Sequence, residues 1–69
     1  MSNDKMLKLI DKAARGDIEA AAELGEGYMK GTFGSKNMEK ALKWTSYAAK
    51  RGDLKAMELL KKIEKKAAK

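Results

Sequence analysis

Residues 13–17 read AARGD, and residues 49–53, 36 positions later, read AKRGD. Shifting the sequence by 36 positions matches six residues in the same order, namely Ala13, Arg15, Gly16, Asp17, Ala20 and Leu24. A fixed period of this length is typical of stacked repeats, in which each repeat is one supersecondary unit. The sequence therefore predicts about two copies of a 36-residue unit, beginning and ending in mid-repeat.

The helix boundaries are predicted by glycines and capping residues. Gly16 and Gly52 suit the left-handed position that follows a helix, and the aspartate after each can cap the next helix. The pattern predicts a first helix that is capped by Ser2 or Asn3 and ends at residue 15, and a second helix over 18–29. A glycine-containing loop follows at 30–36. The third helix is predicted over 38–51 with Asn37 as its cap, and the fourth from residue 54 onward. We expect an all-α fold, a four-helix mini-solenoid of antiparallel helix pairs.

The composition excludes several classes of site. The chain has 69 residues and contains no cysteine, no histidine and no proline. A disulfide framework, a thiolate nucleophile, a cysteine- or histidine-ligated metal and a histidine general base are therefore excluded. The carboxylates of Asp17 and Asp53 are explained as helix caps one repeat apart, with no reason to converge. We expect a protein that is not an enzyme and that uses no metal and no cofactor.

The charge is unevenly distributed along the chain, which has a net charge of +6. Residues 1–35 contain five basic and six acidic residues, whereas residues 36–69 contain eleven basic and four acidic ones. A basic half attracts acidic proteins, nucleic acid or anionic surfaces, and it does not choose among them. No signal peptide and no apolar run of membrane-spanning length is visible, so we expect a cytoplasmic protein that does not enter the membrane.

A specific spacing of small, aromatic and glycine residues runs through the middle of the chain. Its positions are Ala20, Leu24, Gly25, Tyr28, Gly31, Lys40, Ala41, Trp44, Ala48, Ala49, Gly52 and Ala56. This pattern resembles the Sel-one-like repeat, a relative of the tetratricopeptide repeat with a period near 36 residues. The match covers one full repeat, about residues 20–56, with half-repeats on both sides. The small residues suit close helix crossings, and the larger ones fill the space between helices.

The resemblance implies both an organisation and a class of function. It implies one Sel-one-like domain over residues 1–69, with a half-repeat at 1–16, a full repeat at 17–52 and a C-terminal capping helix at 53–69. Members of the family act as adaptors or scaffolds, so it also implies a non-catalytic protein–protein interaction module that binds a larger protein and regulates or blocks it. A small phage or mobile-element inhibitor of a host defence complex is an alternative that fits the size. Self-association is a further expectation, because two repeats bury little apolar surface.

The candidate partner-binding residues lie on the loop and on the helices. We select Phe33, Met29, Tyr47, Lys55, Glu58 and Lys62. Phe33 replaces a glycine that the family usually has, and two readings stay open: it folds inward in place of a missing valine, or it is exposed as a contact. Trp44 and Tyr28 have the spacing of core residues, which favours packing over an aromatic ligand site.

The C-terminal segment contains a run of lysines. The candidate electrostatic face consists of Lys61, Lys62, Lys65, Lys66 and Lys69. Leu60, Ile63 and Ala67 are predicted to take the opposite face of the helix. A solvated face is the predicted role of the lysines. The alternative is binding of nucleic acid or an acidic partner through the basic C-terminal half, which predicts a steep loss of affinity with salt for nucleic acid.

The last helix is predicted to be a terminal cap. Lys61 and Glu64 stand where the repeat pattern has Gly25 and Tyr28 one repeat earlier. Such residues do not prepare a surface on which another repeat can stack, so we expect a polar outer face.

Overall fold

The protein folds into four α-helices. The computed structural model describes the backbone of residues 4–67 and the side chains of residues 4–65. The helices are α1 (Asp4–Ala14), α2 (Ile18–Lys30), α3 (Met38–Lys50) and α4 (Leu54–Ala67). This range contains no strand, so the prediction of an all-α fold is confirmed. The predicted ends of the first three helices and the start of the fourth agree to within one residue. The predicted cap at Ser2 or Asn3 lies outside the described residues.

Side-chain caps begin three of the helices. Oδ1 of Asp17 and Oδ1 of Asn37 each accept a hydrogen bond from the amide three residues later, at 3.1 Å and 3.0 Å. Oδ1 of Asp53 makes the same contact at 2.9 Å. Each bond satisfies an amide that the start of a helix leaves unpaired, which stabilises the helix by about 1 kcal/mol. The predicted capping roles of these three residues are confirmed.

The α1–α2 and α3–α4 turns share one hydrogen-bond pattern. In each turn the aspartate amide donates to a carbonyl five residues earlier, at 3.0 Å for Asp17 and 3.2 Å for Asp53. The preceding glycine is left-handed in both, with φ of +101° at Gly16 and +97° at Gly52. Glycine takes this conformation without the strain that a Cβ atom brings, and the turn then satisfies the last helical carbonyls. The sequence repeat is therefore also a repeat of backbone geometry at these two turns.

The central helix is α2. It packs against α1, α3 and α4, and α3 also packs against α4. Within the described residues, the backbones of α1 and α3 do not come into contact. The buried residues of α2 are Ala20, Ala21, Ala22, Leu24, Gly25, Gly27 and Tyr28. The core therefore follows α2, and a space remains between α1 and α3 on one side of it.

Gly25 allows α2 to approach α3 closely. A Cβ atom at this position would overlap Oγ1 of Thr45 and would lie 3.2 Å from the carbonyl oxygen of Ala41. Both Ala41 and Thr45 are completely buried. The Thr45 hydroxyl at this contact has no hydrogen-bond partner among the described residues. The prediction that Gly25 and Ala41 are small because two helices cross there is confirmed, whereas Ala49 is only half-buried.

Phe33 folds inward from the α2–α3 loop. Its ring lies edge-on to the ring of Tyr28, with centroids 5.6 Å apart and an interplanar angle of 76°. The same ring covers Gly27, where a Cβ atom would overlap it. The chain turns toward this position through Gly31, which ends α2 with φ of +81°. Of the two readings of Phe33, the structure therefore shows the inward one.

The fourth helix packs through a face that the sequence predicted only in part. Ile63 is buried, as expected, but Leu59 is also buried and Leu60 is half-buried. Because a helix turns by about 100° per residue, Leu59 and Leu60 lie equally far from the line through Ala56 and Ile63, on opposite sides of it. Helical spacing therefore does not decide which of the two leucines is buried. The side chain of Ala67 lies outside the described residues.

The outer face of α4 is mixed. Lys61 and Glu64 are exposed, as a terminal cap requires. Leu54 and Met57 are also exposed, at 75% and 39%, so the prediction of a polar outer face is wrong for the first turn of this helix. None of the described helices is long and apolar enough to cross a membrane.

Candidate functional site

A groove lies between α1 and α3, above α2. It has a volume of about 340 Å³ and is lined by Ile10, Tyr28, Lys40, Lys43, Trp44 and Tyr47. We refer to it as the α1–α3 groove. It exists because both helices pack on α2 while their backbones stay apart. Its volume is at the lower end of the range of about 300–1,000 Å³ that is usual for ligand pockets.

Aromatic side chains form the floor and one wall of the α1–α3 groove. Tyr28 is 9% exposed, and its hydroxyl lies 3.7 Å from Sδ of Met6. Trp44 and Tyr47 are half-buried and meet edge-on, with centroids 6.3 Å apart. The prediction of core packing is confirmed for Tyr28. Trp44 packs against the core as well, but it also faces the open groove.

Basic and aromatic side chains share one face of α3 and its C-cap. This face comprises Lys40, Lys43, Trp44, Tyr47, Lys50 and the C-cap residue Arg51, and we call it the α3 stripe. At 3.6 residues per turn, these positions fall within an arc of about 120°. A second groove adjoins the first at Tyr47 and is lined by Ile18, Lys50 and Arg51 in addition. The α3 stripe therefore borders two neighbouring grooves that share Tyr47.

Two of the cations in the α3 stripe rest on aromatic rings. Nζ of Lys40 lies 5.6 Å from the centroid of the Tyr28 ring. The guanidinium carbon of Arg51 lies 4.6 Å from the centroid of the Tyr47 ring. Contacts of this kind are worth about 0.5–1 kcal/mol at exposed sites. They hold the two charges at the edge of the groove rather than leaving them on free side chains.

The charge of the α3 stripe is not neutralised by the described neighbours. No acidic side chain within residues 4–65 lines either groove. The ion pairs in this range join Arg15 to Asp11, Lys30 to Glu26 and Lys55 to Glu26, and none involves the stripe. The grooves therefore combine an apolar surface with uncompensated positive charge.

The opposite side of α2 has a different electrostatic character. Glu26 accepts from Nζ of Lys30 and of Lys55, each at 3.0 Å, and the second contact joins α2 to α4. The hydrogen bond from Lys30, followed by that from Lys55, lowers the pKa of Glu26 below its usual 4.5. The hydrogen bond that Lys55 donates to Glu26 in turn raises the pKa of Lys55 above its usual 10.5. On this side of α2, the charges of Glu26, Lys30 and Lys55 are thus paired with one another.

We expect Glu26→Gln to lower the free energy of unfolding by about 0.5–1 kcal/mol at neutral pH, since two exposed lysines lose their partner. The lowered pKa of Glu26 means that its contribution is present above pH 4.5 and is lost as the pH falls through the lowered value. The raised pKa of Lys55 means that its contribution is present below pH 10.5 and is lost at higher pH. Denaturant unfolding of both proteins across pH measures the difference. A difference that persists at pH 2 would contradict this account.

The predicted partner-binding residues do not form one site. Tyr47 lies on the α3 stripe, whereas Met29 is half-buried in α2 and Phe33 is half-buried in the α2–α3 loop. Lys55 is engaged by Glu26, and the remaining two, Glu58 and Lys62, are exposed on α4. A smaller groove of about 210 Å³ lies beside Phe33, with acidic and basic residues together in its lining.

The predicted electrostatic face lies on α4 and is separate from the α3 stripe. Lys61, Lys62 and Lys65 are exposed there. The side chain of Lys66, and Lys69 as a whole, lie outside the described residues. Helix α4 packs on α2 and α3, and none of these three lysines lines either groove beside the α3 stripe.

Sequence reasoning missed the basic part of the α3 stripe and the contribution of Ile10. The signal for the stripe is present in the sequence, since positions 40, 43, 44, 47, 50 and 51 follow the helical period. Residues 4–67 contain no group of three or more acidic side chains placed to hold a metal ion.

The chain was compared with family models, curated proteins and solved structures. No family model, no curated protein and no solved structure matches the chain. The resemblance to Sel-one-like repeats therefore rests on the spacing of the residues named above.

Proposed function

We propose that this chain is a non-catalytic protein–protein interaction module of the Sel-one-like class, which binds a larger protein and thereby regulates or blocks it. The observation that carries the proposal is the α1–α3 groove, an open apolar surface bordered by unpaired cations on a helical scaffold. An apolar cleft with a few charged or polar groups at its edge is the usual form of a binding site.

The residue types of the groove support this proposal. Tryptophan, tyrosine and arginine are the residues most enriched in the energetic centres of protein interfaces. The α3 stripe brings together Trp44, Tyr47 and Arg51 on one face. The edge-on packing of the two rings and the guanidinium above Tyr47 fix these side chains before a partner arrives. Such preorganisation reduces the entropy that binding must overcome.

The repeated turns support the assignment to a solenoid class. Gly16–Asp17 and Gly52–Asp53 have the same φ sign, the same amide-to-carbonyl bonds and the same aspartate cap. Helices α2 and α4, which follow these turns, are in contact with each other, as equivalent helices of stacked hairpins are.

A pull-down of the tagged protein from host lysate, with and without nuclease, tests the proposal. We expect a stoichiometric protein partner that survives nuclease. Lys43→Glu should reduce its capture by about tenfold or more, since it reverses a charge beside the groove. Lys61→Glu, which reverses the charge of another exposed lysine on α4, is the matched control and should have little effect. Loss of every protein on nuclease treatment would contradict the proposal.

Nucleic-acid binding is a second candidate. The observation that favours it is the position of Trp44 and Tyr47 among basic side chains on one face, since single-strand binding surfaces combine aromatic and basic residues. This candidate predicts a steep loss of affinity as salt rises, because phosphate contacts release counterions. In the pull-down it predicts that nucleic acid is recovered and that proteins depend on it.

A further inference from the structure

We infer that the α1–α3 groove takes an acidic segment of the partner protein that carries one large apolar side chain between carboxylates. This inference rests on the proposed function, and it adds the site and the chemistry of the partner. Two properties of the groove carry it, the apolar floor and the distribution of the cations along α3.

The floor selects an apolar side chain. Ile10 on α1, Tyr28 on α2 and Trp44 on α3 meet around the space of about 340 Å³. Each presents carbon atoms to the groove, and the Tyr28 hydroxyl is directed away to Met6. Burial of one leucine-sized side chain on such a surface strengthens binding by about tenfold to hundredfold. An acidic segment without an apolar residue does not obtain this contribution.

The cations select carboxylates on both sides of that side chain. Lys43 borders the groove beside Trp44, and Lys50 borders the adjoining groove beyond Tyr47. Along the helix axis their Cα atoms are separated by about 10 Å, at 1.5 Å per residue. An extended peptide covers that distance in about three residues. Carboxylates about three residues apart, with the apolar residue between them, therefore match the stripe.

The aromatic rings favour a protein segment over a single-stranded nucleic acid. Stacking of bases requires ring faces that are open to solvent. Tyr28 is buried and meets Phe33 edge-on, and one face of the Tyr47 ring is covered by Arg51 at 4.6 Å. Trp44 is half-buried against the core. The rings thus form the wall of a groove rather than a set of platforms for bases.

Intrinsic fluorescence provides a direct test, because Trp44 is the only tryptophan of the chain. The probes are short peptides of glutamate and serine with one central leucine, the same peptides with serine in place of leucine, and lysine-for-glutamate versions. An oligothymidylate of similar length is the nucleic-acid probe. We expect the leucine-containing acidic peptide to change the emission, with a loss of about tenfold or more in affinity when leucine is removed. Tighter binding of oligothymidylate, or no response to any acidic peptide, would overturn the inference.

Paired charge variants separate specific binding from general attraction. Lys43→Gln with Lys50→Gln removes two charges from the α3 stripe, and Lys61→Gln with Lys65→Gln removes two from α4. The first pair of substitutions should weaken binding of the leucine-containing acidic peptide by about fourfold to 25-fold, because each charge contributes about twofold to fivefold. The second pair should change the affinity for this peptide by less than about twofold. Equal losses from both pairs would overturn the inference, provided that circular dichroism shows both variants folded.

The two proposals fail in different ways. If a protein partner survives nuclease in the pull-down and its capture is unaffected by the Lys43 and Lys50 variants, the interaction module stands and the groove inference fails. If every captured protein depends on nucleic acid, the proposed function fails whatever the peptides do.

Discussion

Gly25→Ala is expected to lower the free energy of unfolding by about 2–3 kcal/mol, although alanine is the better helix former. A Cβ atom at position 25 would overlap Oγ1 of Thr45 and would lie 3.1 Å from its backbone nitrogen. The Ala41 carbonyl is only 3.2 Å away, so relief requires α3 to move. Overpacking of this kind usually costs about 1–3 kcal/mol. A chain of 69 residues has a total stability of only about 3–10 kcal/mol.

Gly27→Ala is the matched control, because it lies in the same helix and gains the same helix propensity of about 1 kcal/mol. Its new Cβ atom would meet the tip of the Phe33 ring, which sits on a loop and can shift. We therefore expect a change in stability within about 1 kcal/mol of zero. Denaturant unfolding of both variants, with Gly25→Ala and Thr45→Ala also combined, measures the difference. If Gly25→Ala were as stable as Gly27→Ala, close packing of α2 on α3 would not be the reason for the glycine.

The helix ends could be predicted from the sequence because they depend on local interactions. Asp17, Asn37 and Asp53 bond to amides three residues away, and Gly16 and Gly52 decide the turns by their own conformation. None of these features needs another part of the chain. The same locality explains why the repeat of 36 residues appears equally in the sequence and in the backbone.

The candidate site could not be predicted in the same way, because it depends on which helices are not in contact. Trp44 lines a groove because α1 and α3 are separated, and nothing near Trp44 in the sequence specifies that separation. Whether Phe33 is exposed or inward likewise depends on how the α2–α3 loop folds back on Tyr28 of α2. Surface lysines are easy to recognise in a sequence, whereas an open space between helices is a property of the assembled fold.

Tyr28→Ala is expected to have the other large effect, a loss of about 3–5 kcal/mol of stability. Tyr28 is 9% exposed and belongs to the core cluster along α2. Its ring also contacts Phe33 edge-on and supports the Lys40 ammonium at 5.6 Å. Truncation removes the buried ring and leaves a cavity that a small helical fold fills only in part. Because the loss approaches the total stability of a domain of this size, thermal and denaturant unfolding should show a protein that is partly unfolded at room temperature.

Tyr28→Phe distinguishes the ring from the hydroxyl. The hydroxyl lies 3.7 Å from the sulfur of Met6, and a thioether is a weak acceptor, so its removal should cost less than about 1 kcal/mol. The phenylalanine variant should therefore unfold almost like the unmodified protein and keep the Trp44 emission, since the groove floor is intact. A loss as large as that of Tyr28→Ala would mean that the contact with Met6, which joins α1 to α2, holds α1 in place. In that case the α1–α3 groove would depend on one polar contact, whereas the burial of the ring argues that packing maintains it.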